Sequence, residues 1–175
     1  LGIVPTSSTI NQLSIGDALA ISTLNQKKIS KKDFKKFHPS GNLGAKLRTV
    51  EEIMIIGNKI PFVNGNLIMK KALQIISNKK LGILVVRNSK GITIGVITDG
   101  QIRRFNEVND NLQSLTVKEV MTLNPISIDK DTLVEKALSI MNSKKITSLC
   151  VHSKKNLKRT VGILHIHKIL ETNIN

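Results

Sequence analysis

The stretch MKKALQIISNKK, Met69–Lys80, returns at Leu133–Lys145 as LVEKALSIMNSKK, and this recurrence decides the fold. In the first copy Met69, Ala72, Leu73 and Ile76 form an i, i+3, i+4, i+7 stripe, and in the second Val134, Ala137, Leu138 and Met141 repeat it. That spacing gathers apolar side chains on one face of a helix. Working outward, Met54 pairs with Met121 and Gly95 with Gly162 at one spacing of 67 positions, while the helices stand two residues closer. An insertion therefore precedes the first helix. Each copy predicts a short strand, the helix, two β-rich strands and a closing helix, with ILVV and TIGVIT in the first and SLCV and TVGIL in the second. Such continuously apolar strands suit a sheet covered by helices on one face and by its partner repeat on the other. The expectation is an α/β fold of two β-α-β-β-α repeats about a pseudo-twofold axis, with shared clefts.

A chain of 175 residues, 40% hydrophobic, is long enough for a compact repeat pair plus an appendage. No apolar run approaches the roughly 20 residues that span a bilayer, so no membrane association and a cytoplasmic location are expected. Cys150 is the single cysteine, in the apolar run ITSLCV, where a buried strand thiol is expected and an intrachain disulfide is excluded. The formal net charge of +15 invites a nucleic-acid reading, but the lysines are spread along the chain and Trp and Tyr are absent, leaving few stacking platforms for bases. No nucleic-acid partner is expected. The densest cluster, Lys27, Lys28, Lys31, Lys32, Lys35 and Lys36, reads as a solvated face.

LGIVPTSST opens as a strand end and turn feeding a helix expected from about Ile10 to Asn25, capped reciprocally by Thr9 and Gln12, with Ile10, Leu13, Ala20, Ile21 and Leu24 inward. Ser30 with Asp33 predicts a shorter helix ending near His38. Two such helices leave apolar faces uncovered, so they read as the tail of a larger domain lying before Leu1. HPSGNLGAKL, at 38–47, then breaks the periodicity with Pro39, Gly41 and Gly44. The expected domains are 1–48, 49–112 and 113–175.

Four stretches carry a family resemblance: PTSST…GDALA at Pro5–Ala20, DFKKFHPSGNLGAKL at Asp33–Leu47, GVITDGQIRR at Gly95–Arg104, and KKITSLCV with GILHIHKIL near the end. Together they resemble the arabinose 5-phosphate isomerase family. The resemblance makes 1–48 the C-terminal remnant of a sugar isomerase (SIS) domain, 49–112 the first CBS domain and 113–175 the second. It implies an intact enzyme that interconverts ribulose 5-phosphate and arabinose 5-phosphate for Kdo biosynthesis, serving lipopolysaccharide or capsule. The substrate would be a sugar phosphate, with no cofactor and no metal, in a homo-oligomer, dimer or tetramer. Most of the catalytic domain would lie outside this chain, which alone is expected not to isomerise sugars. The alternative is a non-catalytic CBS ligand-sensing or dimerisation module.

Aldose–ketose isomerisation passes a proton between adjacent carbons, which an imidazole does near neutral pH. The resemblance assigns that role to His38, in an active site shared with neighbouring subunits. Ser7, Ser8 and Thr9 can offer hydroxyls and N–H groups to a substrate phosphate at a helix start, although plain capping is the favoured reading. In CBS modules a glycine, a hydroxyl residue and an aspartate three residues on hold a nucleotide. Here the series read Gly95, Thr98, Gln101 and Gly162, His165, Lys168, so both carboxylates are replaced. Gln101 can still hydrogen-bond a ribose and Lys168 offers positive charge, which favours an anionic nucleotide or nucleotide-sugar effector. Asp99, two residues before Gln101, completes that set, and the resemblance adds Asn66, at the start of the first repeat helix, and Glu119. His165 and His167 share one side of a strand in this reading, and would bind a metal only with His152 nearby. Arg103 and Arg104 complement a helix C-terminus.

Overall fold

The computed structural model describes residues 5–29, 33, 47–107 and 111–173, in two units, Leu1–Leu47 and Arg48–Asn175. In the first unit α1 spans Thr6–Gln26. It starts earlier than the capping pattern predicts: Pro5 is the N-cap, and Thr9 lies inside the helix, its N–H and hydroxyl donating to the Pro5 carbonyl at 3.0 and 2.9 Å. A proline's fixed φ suits helix entry, and a threonine hydroxyl readily back-bonds to the preceding turn. Ile10, Leu13 and Ile21 are exposed rather than inward. Ser30, His38 and the loop through Lys46 lie outside the described residues.

In the second unit the elements run β1 (Ile55–Ile56), β2 (Phe62–Asn64), α2 (Met69–Lys79), β3 (Ile83–Arg87), β4 (Thr93–Thr98) and α3 (Asp99–Asn106), then α4 (Val117–Val120), β5 (Thr122–Leu123), β6 (Ser127–Asp129), α5 (Val134–Lys144), β7 (Ser148–His152), β8 (Gly162–His165) and α6 (Ile166–Asn173). Both predicted helical stripes are buried or packed: Met69, Ala72 and Ile76 on α2 and Val134, Ala137 and Met141 on α5 are buried, with Leu73 and Leu138 packed beside them.

Two four-stranded sheets form, ordered β2-β3-β4-β5 and β1-β8-β7-β6. In each, the strand ahead of a repeat joins the sheet of the other repeat. β1 pairs antiparallel with β8 (Ile55↔Ile163, Ile56↔Gly162), and β5 pairs antiparallel with β4 (Thr122↔Val96, Leu123↔Gly95). The two registers are the same once the repeats are superposed. The turns before these strands cross over as well, through the bridges Thr49↔Leu133 and Ile68↔Thr116. Val50 is accordingly buried in the core of α5, β7 and β8, and Val117 and Val120 in the core of α2, β3 and β4. Full burial of one such side chain contributes about 1.5–3 kcal/mol.

Successive residues of a strand face opposite ways. Leu84 and Val86 of β3 pack on the helix side, as do Leu149 and Val151 of β7. Ile83, Val85, Cys150 and Ile163 pack between the sheets with Ile60. This is the layering that the continuously apolar strands predict. The insertion lies between β1 and β2, as a 3-10 turn at Gly57–Lys59, closed by the Lys79 ammonium donating to the Asn58 carbonyl at 2.5 Å. Gly95 and Gly162 admit the neighbouring strand. A β-carbon on Gly95 would fall 2.7 Å from the Met121 sulfur and 2.8 Å from the Thr122 carbonyl oxygen, and one on Gly162 would meet the Met54 sulfur.

Candidate functional site

Both repeat helices end on a lysine in the left-handed conformation, Lys80 and Lys145, each with φ 53°. Glycine is the usual residue at such a position, because a β-carbon costs about 1 kcal/mol there. The two lysines line one cleft of about 680 Å³ between the repeats. Its walls are the turns after α2 and α5, the starts of α3 and α6, and the β5–β6 link through Asn124 and Pro125. Arg104 adds a third cation, against the single carboxylate of Asp99 in the lining.

Thr98 caps α3, its hydroxyl accepting from the Gln101 N–H at 3.3 Å. The Gln101 side-chain amide donates to the Val120 carbonyl, which ties the cleft wall to α4 and leaves the amide oxygen as an acceptor. Asp99 lies against Gly82, whose φ of 60° and missing β-carbon give the carboxylate its place. Thr98, Asp99, Gln101 and His165 are thus brought together in one lining. At the matching helix start His165 replaces Thr98: its Nδ1 accepts from the His167 N–H at 3.2 Å, and the two rings stack with centroids 4.9 Å apart. Burial, then the neighbouring His167, lowers the pKa of His165 from its ordinary value.

Three other predicted residues lie elsewhere. Lys168 does not line the cleft; its ammonium pairs with Glu171 at 2.6 Å. Asn66 precedes α2 rather than starting it, its N–H donating to Asn64 Oδ1 at 2.9 Å. Glu119 accepts from the Thr116 N–H and hydroxyl at 2.7 and 2.6 Å, a capping box that lowers its pKa. Glu52 makes the same box with Thr49, so the repeat reaches back to TVEEIM and TVKEVM. Ser7 and Ser8 lie in the first turn of α1. His165 and His167 do not share a strand, since β8 ends at His165 and His167 belongs to α6. His152 stands at the far end of β7, four residues beyond Ser148, which pairs with His165, or about 13 Å at strand rise. No group of three His, Cys, Asp or Glu residues among those described can hold a metal.

Sequence reasoning missed the two left-handed lysines and Arg104 as cleft residues. The sequence carries one hint, a lysine pair just before an apolar strand in both copies, but not the left-handed turn that places those lysines in the cleft.

Two strand-exchanged repeats around a basic, ligand-sized cleft define a pseudo-symmetric binding module of the α/β class. The chain belongs to the CBS domain family, which matches residues 50–107 and 117–174. It is 37% identical over 175 residues to arabinose 5-phosphate isomerase KdsD of Salmonella typhi, covering 99% of this chain and 52% of that protein. It is 41% identical over 172 residues to the enzyme of the same name from Francisella tularensis, covering 98% and 52%. The chain thus spans about half the length of these curated relatives. Among solved structures, CBSX2 in complex with AMP aligns with a TM-score of 0.62 at 20% identity, covering 72% of this chain and 96% of that one, a likeness of fold. No helix among the described residues is long and apolar enough to cross a membrane.

Proposed function

We propose that the chain is the regulatory half of a D-arabinose 5-phosphate isomerase, and that its cleft binds an anionic nucleotide or nucleotide-sugar effector. The likeness to KdsD along 99% of the chain carries the first part. The convergence of Lys80, Lys145 and Arg104 on one cleft carries the second. Three cations against one carboxylate favour phosphate oxygens, and the free Gln101 oxygen suits a ribose hydroxyl. That CBSX2, a protein of the same fold, was solved in complex with AMP agrees with this choice.

In this reading residues 1–48 end the sugar isomerase domain and His38 serves as proton carrier in an active site completed by another subunit of a dimer or tetramer, with Ser7, Ser8 and Thr9 near the substrate phosphate. The enzyme works in the cytoplasm on Kdo precursors for lipopolysaccharide or capsule. Calorimetric titration of AMP, CMP and CMP-Kdo into the chain tests the cleft: saturable binding, weakened about tenfold or more by Lys80→Ala or Lys145→Ala, is expected. Silence with all three ligands would leave a dimerisation module. In the intact isomerase, His38→Ala should depress turnover by orders of magnitude, and near-normal turnover would remove His38 from the site.

A further inference from the structure

A second pocket, of about 210 Å³, lies at the opposite end of the strands, beside Thr93, Thr160 and His152. Thr93 and Thr98 bound β4 about 16 Å apart, and the two pockets adjoin in the middle of the sheet while opening toward opposite strand ends. Only Asn124, Pro125 and Cys150 line both. It is present in a form that the repeat symmetry does not require. By strand register Ser127 and His152 occupy the places that Phe62 and Arg87 hold in the first repeat. There the Arg87 guanidinium stacks 3.3 Å over the Phe62 ring and fills the space. The smaller Ser127 and the shorter His152 leave it open.

We infer that this pocket is a separate site for a small oxyanion, held by His152 and Lys158 with help from the Ser127 hydroxyl. The lining contains no carboxylate and its charge is all positive. Behind it, His152 Nδ1 and Asp129 Oδ2 are buried 4.0 Å apart, and neither has a hydrogen-bond partner. The other Asp129 oxygen accepts from the Asp131 N–H at 2.8 Å, which fixes the carboxylate in place. The Asp129 carboxylate thus faces the Nδ1 side of the ring, and an anion in the pocket would meet its other face. Metal binding is disfavoured, because burial pushes the Cys150 thiol up to about 11, far from thiolate. Nearby, Lys154 pairs with Asp131 at 3.5 Å and Lys130 with Glu51 at 2.5 Å, and the Arg159 guanidinium donates to the Lys90 carbonyl at 2.9 Å.

The test is to follow the imidazole nitrogens of His152 by NMR while the full chain is titrated with sodium phosphate, and separately with sodium acetate, at fixed ionic strength. A saturable shift at His152 is expected with at least one of them, weakened about tenfold or more in Lys158→Ala. Arg104→Ala, in the large cleft, should leave it unchanged. Ser127→Phe, which installs the first repeat's own side chain and keeps the reporting imidazole, should keep the thermal transition and abolish the saturable His152 shift; should it fail to fold, the Lys158→Ala arm decides. No saturable shift with either anion, insensitivity to Lys158→Ala, or loss of the shift in Arg104→Ala would each overturn the inference.

Discussion

The hydroxyl oxygens of Thr93 and Thr160 lie 2.8 Å apart across a sequence separation of 67 residues, the spacing that relates the two repeats. The same position in each copy therefore meets its counterpart, and the pseudo-dyad runs between them. The bond is lopsided, since Thr93 Oγ1 also accepts from the Thr160 N–H at 3.1 Å.

That asymmetry ranks two substitutions. Thr93→Val leaves the Thr160 N–H without its acceptor and the Thr160 hydroxyl with only the Cys150 thiol, whereas Thr160→Val leaves Thr93 its backbone donor. An unsatisfied buried group costs about 1–3 kcal/mol, so Thr93→Val should destabilise more. Urea unfolding of both variants checks the order, and equal or reversed losses would contradict it.

The two exchange glycines should also differ. Gly95→Ala drives a β-carbon against the Thr122 carbonyl, which is backbone and cannot turn aside; Gly162→Ala mainly meets the Met54 thioether, with the Ile55 carbonyl at 3.2 Å. Overpacking of this kind costs about 1–3 kcal/mol, with Gly95→Ala at the upper end. Adding Met54→Ala should recover part of the Gly162→Ala loss, and adding Met121→Ala little of the other. Melting temperatures of the four variants decide it.

Lys80→Gly and Lys145→Gly separate stability from binding. Each relieves a left-handed side chain, so the fold should be unchanged or up to about 1 kcal/mol more stable. Each also removes a cation from the large cleft, so nucleotide affinity should fall. A variant that lost stability and kept affinity would show that the lysines serve only the helix ends.

His165 predicts a pH dependence. Its folded pKa lies below the ordinary value of 6.5, so the unfolded chain binds the proton more readily, and stability falls as pH drops through the ordinary value and levels off below the folded one. The ring is half-buried rather than sequestered, which keeps the effect small. Urea midpoints between about pH 5 and 7.5 should slope less steeply in His165→Gln, and parallel slopes would count against it.

The repeat, its helical stripes and the strand layering were legible because each rests on local periodicity. Met69, Ala72 and Ile76 could be assigned to a core face from spacing alone. The exchange of β1 and β5 was not, for each is two residues long and its hydrogen bonds go to the other half of the chain. At the cleft, Thr98, Asp99, Gln101 and His165 were legible from motif position. Lys168 was not, because a nearby Glu171 competes for its ammonium. Lys80 and Lys145 depend on backbone handedness at a helix end, which composition does not encode.

The crossing of β1 and β5 bears on what a single copy can be. A polypeptide covering residues 48–111 alone would lack Val117, Val120 and the β5 edge, and should show no cooperative unfolding transition as a monomer. The crossing registers of β1 on β8 and of β5 on β4 are ones that two separate copies of a single repeat could form with each other, so the covalent joint between the halves adds proximity to an exchange that is itself symmetric.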